Sequence, residues 1–212
     1  MKCKICGSST ISFFDNQLNI LFFSCKKCGF IFKNPSSYIS RKEELKQYNL
    51  HENTLNNTGY VNNFKKFINY SIEPFLPDIN SLLDFGCGPN PVLIKLLKNK
   101  ILKLDFYDPF FYSNPIETTY DMITATEVFE HLKNPLKTVE EIDSYLNKGG
   151  FIAIQTFFRP KTLISFKKWW YRRDPTHVSF YSQKSIVKLF KYYHYKPIRS
   201  NNKNYIVLKK DK

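Results

Sequence analysis

The sequence predicts an α/β protein, in which an open, mostly parallel, doubly wound sheet follows a small cysteine-bearing module. Three observations in its 212 residues predict this. Two Cys-x2-Cys pairs lie close to the N-terminus. Short apolar runs of β type then alternate with amphipathic helical segments, which is typical of parallel sheets with crossover helices. A glycine turn follows the first of these runs, where such sheets bind ligands.

The composition excludes several classes of protein. Hydrophobic residues make up 42% of the chain and aromatic residues 17%, which excludes a fully disordered chain. No apolar run approaches the roughly 18 residues that a membrane-spanning helix needs. The first residues also contain no apolar secretory core. We therefore expect no membrane partner and a cytoplasmic location.

Residues 1–35 are predicted to form a zinc ribbon. Four cysteines form its two pairs, and a glycine follows each pair: Cys3, Cys6, Cys25 and Cys28. A two-residue spacing lets both thiolates of a tight turn face one cation, and four soft sulfur ligands suit structural Zn²⁺. The runs 11–14 and 18–24 between the pairs predict a β-hairpin. So short a segment buries little core, and the metal would stabilise it.

Residues 36–58 are predicted to be a linker, with a short helix over 41–48 and a loop over 51–58. A helix follows Gly59, because apolar residues recur at helical spacing up to Ile72. The main domain, 59–212, then alternates strands and helices. In chain order we expect strand 81–85, helix 91–99, strands 101–107 and 121–126, helix 135–146 ending at Lys148-Gly149-Gly150, strand 151–156, a helix from Ser182 to about Tyr193, and a hairpin of 195–200 with 204–209.

The turn after strand 81–85 predicts a ligand site. Gly86 and Gly88 let backbone amides approach a ligand closely, and the following helix N-terminus favours an anionic group. Asp84 precedes the turn, and Asp108 ends the next strand. A carboxylate at that second position is placed to accept hydrogen bonds from the ribose hydroxyls of an adenosine ligand.

At these residues the chain resembles the class I S-adenosylmethionine-dependent methyltransferases, in the subgroup with an N-terminal zinc ribbon. The resemblance covers about residues 60–210 and includes the strings 82–88, 107–110, 127–131 and 146–150. It implies a Rossmann-like methyltransferase sheet that binds S-adenosylmethionine. It also implies the following cofactor contacts: the backbone of Gly86, Cys87 and Gly88 at the methionine portion, Asp84 shaping the turn, Asp108 and Pro109 at the ribose, Phe110 facing the adenine, and the backbone around Thr126 near the sulfonium.

One segment departs from the family pattern. Only residues 109–120 separate the second strand of the domain from the third, where the family usually has a further helix and strand with an acidic residue for the adenine amino group. We expect that element to be truncated. Asn114 or a backbone group would then recognise the adenine.

Glu127, Glu130 and His131 are the candidate catalytic residues. Their spacing places them on one helical face, at the carboxyl end of a central strand. The string is similar to those of the ubiquinone-pathway O-methyltransferases and of the small-RNA 3′-terminal 2′-O-methyltransferases. Three alternatives remain open: His131 is a general base, the three residues hold Mg²⁺ together with His177, or Glu130 and His131 only order the helix start.

His177 lies in segment 169–181, which mixes aromatic residues with two arginines. The segment is predicted to be a lid over a flat or anionic acceptor, and an aromatic core with a satisfied histidine is the alternative.

The charge distribution bears on the acceptor. The net charge is +14, and residues 159–212 contribute +13 of it. Such a basic segment attracts anionic partners. We expect methyl transfer to an O or N atom of a polar, anionic small molecule. The alternatives are an RNA methyltransferase, including a metal-assisted 2′-O enzyme, and a non-enzymatic zinc-binding interaction module.

Overall fold

The structure, a computed structural model, describes residues 1–50 and 53–211. These residues form two sheets, one of four strands near the N-terminus and one of six. His51 and Glu52, at the start of the predicted loop 51–58, lie outside the described residues. Within the described ranges, no helix is both long and apolar enough to cross a membrane.

The smaller sheet contains the cysteine module. Its strands run in the order β1-β2-β3-β8 and are all antiparallel. The predicted hairpin is present, and the outer strand comes from far along the chain. The four strands are β1 (Ile11–Asp15), β2 (Ile20–Ser24), β3 (Ile31–Lys33) and β8 (Ser179–Phe180).

Two helices connect the sheets. Helix α1 (Arg41–Asn49) begins at a capping box, in which Ser40 and Glu43 each bond the other's backbone amide. Helix α2 (Thr58–Ser71) buries Phe64, Phe67 and Ile68, which recur at helical spacing as predicted.

The larger sheet has the order β5-β4-β6-β7-β10-β9. Strands β5, β4, β6 and β7 are parallel, and β10 pairs antiparallel with β7 and β9. Its strands are β4 (Ser81–Phe85), β5 (Lys103–Tyr107), β6 (Tyr120–Thr126), β7 (Leu146–Gln155), β9 (Tyr195–Ser200) and β10 (Tyr205–Lys210). The other helices are α3 (Val92–Leu97), α4 (Pro135–Ser144), α5 (Leu163–Lys168) and α6 (Gln183–Lys191).

The predicted truncation after β5 is confirmed. In the described part of the chain no strand lies between β5 and β6, so β5 is an edge strand of the sheet. The connecting segment makes only one isolated bridge, between Asp108 and Tyr112.

The predicted end of helix 135–146 is wrong. The helix ends at Ser144, Tyr145 is its C-cap, and β7 runs through Gly149 and Gly150. Gly149 and Gly150 therefore belong to strand β7 and do not cap the helix. Gly149 has φ +77°, and a Cβ at Gly150 would lie 2.9 Å from the carbonyl oxygens of Asn147 and Asp121. They allow the irregular pairing at the start of β6 and β7.

The ribbon packs into the core of the main sheet. Cys25, Cys28, Phe30 and Phe32 belong to the same buried cluster as sheet and α6 residues such as Ile154, Tyr181 and Phe190. Strands β3 and β8 pair through Phe32 and Ser179. Neither β8 nor α5 was predicted from the sequence. The division into a ribbon (1–35), a linker (36–58) and a main domain (59–212) stays a prediction.

Candidate active site

The turn after β4 depends on its two glycines. Gly86 and Gly88 have φ of +80° and +68°, in the left-handed region that favours glycine. A Cβ at Gly86 would lie 2.3 Å from Cγ2 of Val128, whereas one at Gly88 would meet nothing within 4 Å. The amides of Gly86 and Cys87 both donate to the carbonyl oxygen of Tyr107, at 2.7 and 3.2 Å. The turn is thereby tied to the end of β5.

Burial favours the neutral form of two groups at this turn, the Asp84 carboxyl and the Cys87 thiol. Burial raises the pKa of Asp84 to about 7, and Thr124 Oγ1 donates to its Oδ1 at 2.9 Å. Burial also raises the pKa of the Cys87 thiol, which is therefore not a reactive thiolate. Asp84 is buried directly before the turn, and its role in shaping the turn stays a prediction.

Asp108 joins two loops at the edge of the site. One carboxylate oxygen accepts from the amide of Gly88 at 2.9 Å, and the other accepts from the amides of Phe110 and Phe111 at 2.8 and 3.3 Å. The Phe110 ring contacts α1, because the Arg41 guanidinium lies 4.3 Å from its centroid. Arg41 also donates to the carbonyl oxygen of Pro109 at 2.7 Å.

One cavity of about 900 Å³ brings most of the predicted site together. Ten of the twelve predicted catalytic and cofactor residues line it, and Asp84 and Glu130 lie behind its surface. The ten are Gly86, Cys87, Gly88, Asp108, Pro109, Phe110, Thr126, Glu127, His131 and His177. Asn114 is exposed and does not line the cavity, so the expected adenine contact from Asn114 is not seen.

Glu127 and Glu130 both form a hydrogen bond with the hydroxyl of Tyr171. Tyr171 Oη lies 2.9 Å from Oε2 of Glu127 and also hydrogen-bonds Oε1 of Glu130. Glu127 Oε1 accepts from Gln155 Nε2 at 3.0 Å, and Glu130 Oε2 accepts from the Thr156 hydroxyl at 2.9 Å. A hydroxyl has a single proton, so the second contact needs a protonated carboxyl. Burial raises the pKa of both glutamates, which agrees with a proton held by the pair.

The predicted helical face for these residues is wrong. Glu127 precedes the short 3-10 turn Phe129–His131 and has φ +53°, an uncommon conformation for a residue other than glycine. Its amide donates to the carbonyl oxygen of Gln155 at 2.9 Å. The strained backbone turns the Glu127 side chain toward Gln155 and Tyr171.

His131 and His177 lie side by side, with ring centroids 4.8 Å apart. His131 Nδ1 lies 3.2 Å from the carbonyl oxygen of Thr176, and His177 Nδ1 lies 2.7 Å from that of Tyr171. Because a carbonyl oxygen only accepts, Nδ1 bears a proton in each ring, and in the neutral form of a ring the lone pair is on Nε2.

Glu130, His131 and His177 place one potential ligand atom each within 4.8 Å of one another. Two imidazoles and one carboxylate suit a transition-metal ion better than Mg²⁺, which prefers oxygen ligands. The donor set therefore fits the predicted Mg²⁺ poorly.

Segment 169–181 contributes both to the cavity and to the core. Trp170 is 61% exposed and lines the cavity, which is consistent with a lid, whereas Tyr171 and Arg172 are buried. Arg172 Nε donates to Asp15 Oδ2 at 2.8 Å and its Nη2 to Gln17 Oε1 at 2.7 Å. Arg172 therefore binds the ribbon. The sequence had predicted an anionic acceptor as its partner instead.

Several site residues were not predicted. Gln155, Tyr171 and the α1 residues Arg41, Glu44 and Tyr48 all line the cavity. Oε1 of Gln155 is buried and has no hydrogen-bond partner among the described residues. The position of Gln155 at the carboxyl end of a parallel strand was the signal available for it, because ligands bind at that edge. Nothing in the sequence of α1 indicated its place over the site.

The four paired cysteines form a second cluster. Sγ of Cys3 lies 3.6 Å from that of Cys28, and Sγ of Cys6 lies 3.5 Å from that of Cys25. All four sulfur atoms lie within 4.8 Å of one another. A tetrahedral ion with bonds of about 2.3 Å requires sulfur atoms about 3.8 Å apart. The donor set and its spacing fit Zn²⁺.

Known proteins resemble this chain as follows. Residues 57–199 match the family described as Methyltransferase domain. A tRNA U34 carboxymethyltransferase of Campylobacter fetus subsp. fetus (strain 82-40) is 26% identical over 147 residues, which are 57% of this chain and 52% of that protein. An uncharacterized methyltransferase of Alkaliphilus oremlandii (strain OhILAs) is 31% identical over 71 residues, 32% of this chain and 33% of that protein.

Among solved structures, human N-acetylserotonin methyltransferase in complex with SAM has a TM-score of 0.53 to this chain at 11% identity. That match covers 71% of this chain and 52% of the human chain, and at such low identity it shows the fold alone. The matched part spans about half of the Campylobacter protein and a third of the Alkaliphilus protein.

Proposed function

We propose that this chain, which belongs to the methyltransferase-domain family, transfers the methyl group of S-adenosylmethionine to an O or N atom of a polar small molecule with an anionic group. The observation that supports this acceptor is the single cavity of about 900 Å³, which extends from the glycine turn to His131 and His177. Ligand pockets commonly measure about 300–1,000 Å³. The cavity is therefore large enough for the cofactor and a small acceptor together.

The charges that line the cavity predict how the acceptor is oriented. The carboxylates of Glu127 and Asp174 line the cavity, as do the exposed side chains of Arg41 and Lys137, which we place at its rim. An anionic group is repelled from the acidic interior. We expect the anionic group to stay at the rim and the reacting hydroxyl or amine to point inward.

The residues fit S-adenosylmethionine. Gly88 leaves open space where any side chain would project, and Gly86, Asp108 and Thr126 line the same part of the cavity. When bound, the cofactor supplies a methyl group activated by a sulfonium. The acceptor must lose a proton as it is methylated, and Nε2 of His131 is the atom proposed to receive it. The Thr176 carbonyl oxygen accepts from Nδ1 of His131, which supports the tautomer with the proton on that nitrogen.

Two variants test this assignment. We expect Asp108→Ala to weaken the binding of S-adenosylmethionine, because it removes the acceptor for the Gly88 and Phe110 amides. We expect His131→Ala to keep cofactor binding and to lower turnover by about 10²–10⁴-fold, the usual range for a general base. Calorimetry measures binding, and transfer of a labelled methyl group to a panel of small acceptors measures turnover. Full activity of His131→Ala would contradict the catalytic assignment.

RNA is the second candidate acceptor. The Campylobacter relative is named as a tRNA enzyme, and residues 159–212 of this chain have a net charge of +13. Labelled methyl transfer to total RNA, followed by nuclease digestion and nucleoside analysis, tests it. The candidate fails when label appears only in small molecules. The third expectation, a non-enzymatic module, is not supported, since the family match, the glycine turn and the cavity are all present.

We also propose that Cys3, Cys6, Cys25 and Cys28 hold one structural Zn²⁺. The support is the sulfur spacing and the two identical turns, in which the amides of Gly7 and Gly29 donate to the carbonyl oxygens of Cys3 and Cys25.

A further inference from the structure

A second, smaller cavity lies between the second cysteine turn and helix α6. Its volume is about 380 Å³, and four of its six lining residues are lysines, which line it mainly with their aliphatic stems. We call it the lysine cavity; its residues are Lys27, Cys28, Lys184, Val187, Lys188 and Lys191. None of the predicted active-site residues lines it.

The fold fixes the position of these lysines. Helix α6 buries Ile186, Leu189 and Phe190, so that Lys184, Lys188 and Lys191, spaced by four and three residues, follow one another along its outer face. The hydroxyl of the N-cap residue Ser182 donates to the carbonyl oxygen of Cys28 at 3.2 Å. This bond holds the start of the helix against the cysteine turn that bears Lys27.

The positive charge of the lysine cavity is not neutralised by neighbouring side chains. Over residues 1–50 and 53–211, none of the four lysines forms an ion pair, whereas Arg172, Lys196 and Lys210 of the same basic segment do. A Zn²⁺ ion with four thiolates has a net charge of −2. Four lysines exceed that charge, so the surface stays positive when zinc is bound.

An exposed aromatic ring adjoins the lysines. Tyr192 is 51% exposed, and Lys188 Nζ lies 4.8 Å from its centroid. Lysines beside an exposed ring suit an unpaired nucleic acid strand, since the phosphates meet the ammonium groups and a base stacks on the ring. An acidic peptide would supply negative charge for the lysines but no flat base to stack on the Tyr192 ring.

We propose that the lysine cavity and Tyr192 form a binding site for single-stranded RNA. This inference goes beyond methyl transfer, because the site is separate from the cavity at the glycine turn. It holds whether the methyl acceptor is a small molecule or RNA. The site binds the phosphate backbone, and sequence preference is expected to be weak.

The test measures binding of a fluorescent 20-nucleotide oligouridine RNA to the full chain by anisotropy, without cofactor, over a series of salt concentrations. For four phosphate contacts, log Kd is expected to change with log salt at a slope of about 2.8. In the triple variant Lys184→Glu/Lys188→Glu/Lys191→Glu, we expect a salt slope below about 1 and an RNA affinity that is at least about tenfold lower. Tyr192→Ala weakens binding with an unchanged slope.

A matched control separates this site from general charge. Lys65→Glu/Lys66→Glu/Lys98→Glu makes the same change in net charge on exposed residues of α2 and the end of α3. We expect it to lower RNA affinity less than about twofold. Zinc content and thermal unfolding confirm that both variants are folded.

Several outcomes would overturn the proposal. They are equal losses in the two triple variants, binding that does not depend on salt, complete displacement of RNA by millimolar pyrophosphate, and binding to vesicles of anionic lipid without binding to RNA. The last two would indicate a small-anion site or a membrane surface instead. Because no step of the test needs methyl transfer, a failure here leaves the proposed function unaffected.

Discussion

Gly86 and Gly88 have the same backbone conformation but different surroundings, and they should respond differently to a methyl group. At Gly86 a Cβ would meet Val128 Cγ2 at 2.3 Å, so Gly86→Ala should destabilise the fold. At Gly88 the Cβ would enter open space in the cavity, so Gly88→Ala should mainly weaken cofactor binding. Thermal unfolding and calorimetry with S-adenosylhomocysteine separate the two effects.

A second substitution provides the control. Gly86→Ala/Val128→Ala removes the methyl groups that clash, and we expect it to recover part of the lost stability. The strain of a positive φ remains, at about 1 kcal/mol. Equal unfolding temperatures for Gly86→Ala and Gly88→Ala would contradict this account.

Asp84 should make stability depend on pH. Its pKa is raised from 3.8 to about 7 in the folded chain, so between these values the folded state binds more protons than the unfolded state. The free energy of unfolding therefore falls as pH rises through this window, by at most about 4 kcal/mol from this group. Asp84→Asn removes the titration. Urea unfolding from pH 4.5 to 7 should give the variant a flatter curve, and parallel curves would contradict the assignment.

Single residues were predictable where their role is local. The glycines, Asp84 and Asp108 follow from their positions beside strands β4 and β5, and they lie together as expected. The contact of Tyr171 with the two glutamates was not predictable, because it forms across the fold. Tyr171 reaches Glu127 and Glu130, more than forty positions earlier, and no local pattern indicates such a pair.

At the scale of elements, the buried ion pair of Asp15 and Arg172 connects the β1–β2 turn to the segment that contains Trp170 and Tyr171. Asp15→Asn leaves the Arg172 guanidinium buried without its charge partner. We expect a loss of about 3–5 kcal/mol in the free energy of unfolding. We also expect a higher KM for the acceptor, because Trp170 and Tyr171 line the cavity.

Cofactor binding should respond less to Asp15→Asn, since β4 and β5 hold that part of the site. The matched control is Asp78→Asn, which changes an exposed carboxylate that does not line the cavity. A rise in the dissociation constant of S-adenosylhomocysteine as large as the rise in acceptor KM would show that the two halves of the cavity are not separable.

Elements were predictable where the hydrophobic pattern is long and strong. The parallel strands β4, β5 and β6 and helix α2 have continuous or helical apolar patterns, and the structure has them near the expected bounds. Strand β8 has only two residues, which are too few to show a hydrophobic pattern, and it is defined by its pairing with β3. Helix α5 has six residues, with only Phe166 buried. The early start of β7 was missed because its glycines resemble a helix end.

For the whole molecule, loss of zinc should affect more than the first residues. Cys28→Ser removes one ligand, and we expect no retained zinc and a lower unfolding temperature, because the ribbon shares a core with the sheet. Cys87→Ser is the matched control, since this thiol is buried but lies outside the cysteine cluster. Metal analysis after dialysis and thermal unfolding measure the outcome. Full zinc content in Cys28→Ser would contradict the ligand assignment.

The pairing of β3 with β8 has a consequence for synthesis on the ribosome. The cysteine turns emerge well before β8 and have all four sulfur ligands by then, but the outer edge of β3 must wait for a strand about 150 residues later. During that interval Ile31 and Phe32 have an unpaired edge, which is the kind of surface that binds chaperones or pairs with other nascent chains. Completion of the small sheet therefore has to follow the synthesis of β8, and the cavity beside Tyr171 and His177 forms only after segment 169–181 has left the ribosome.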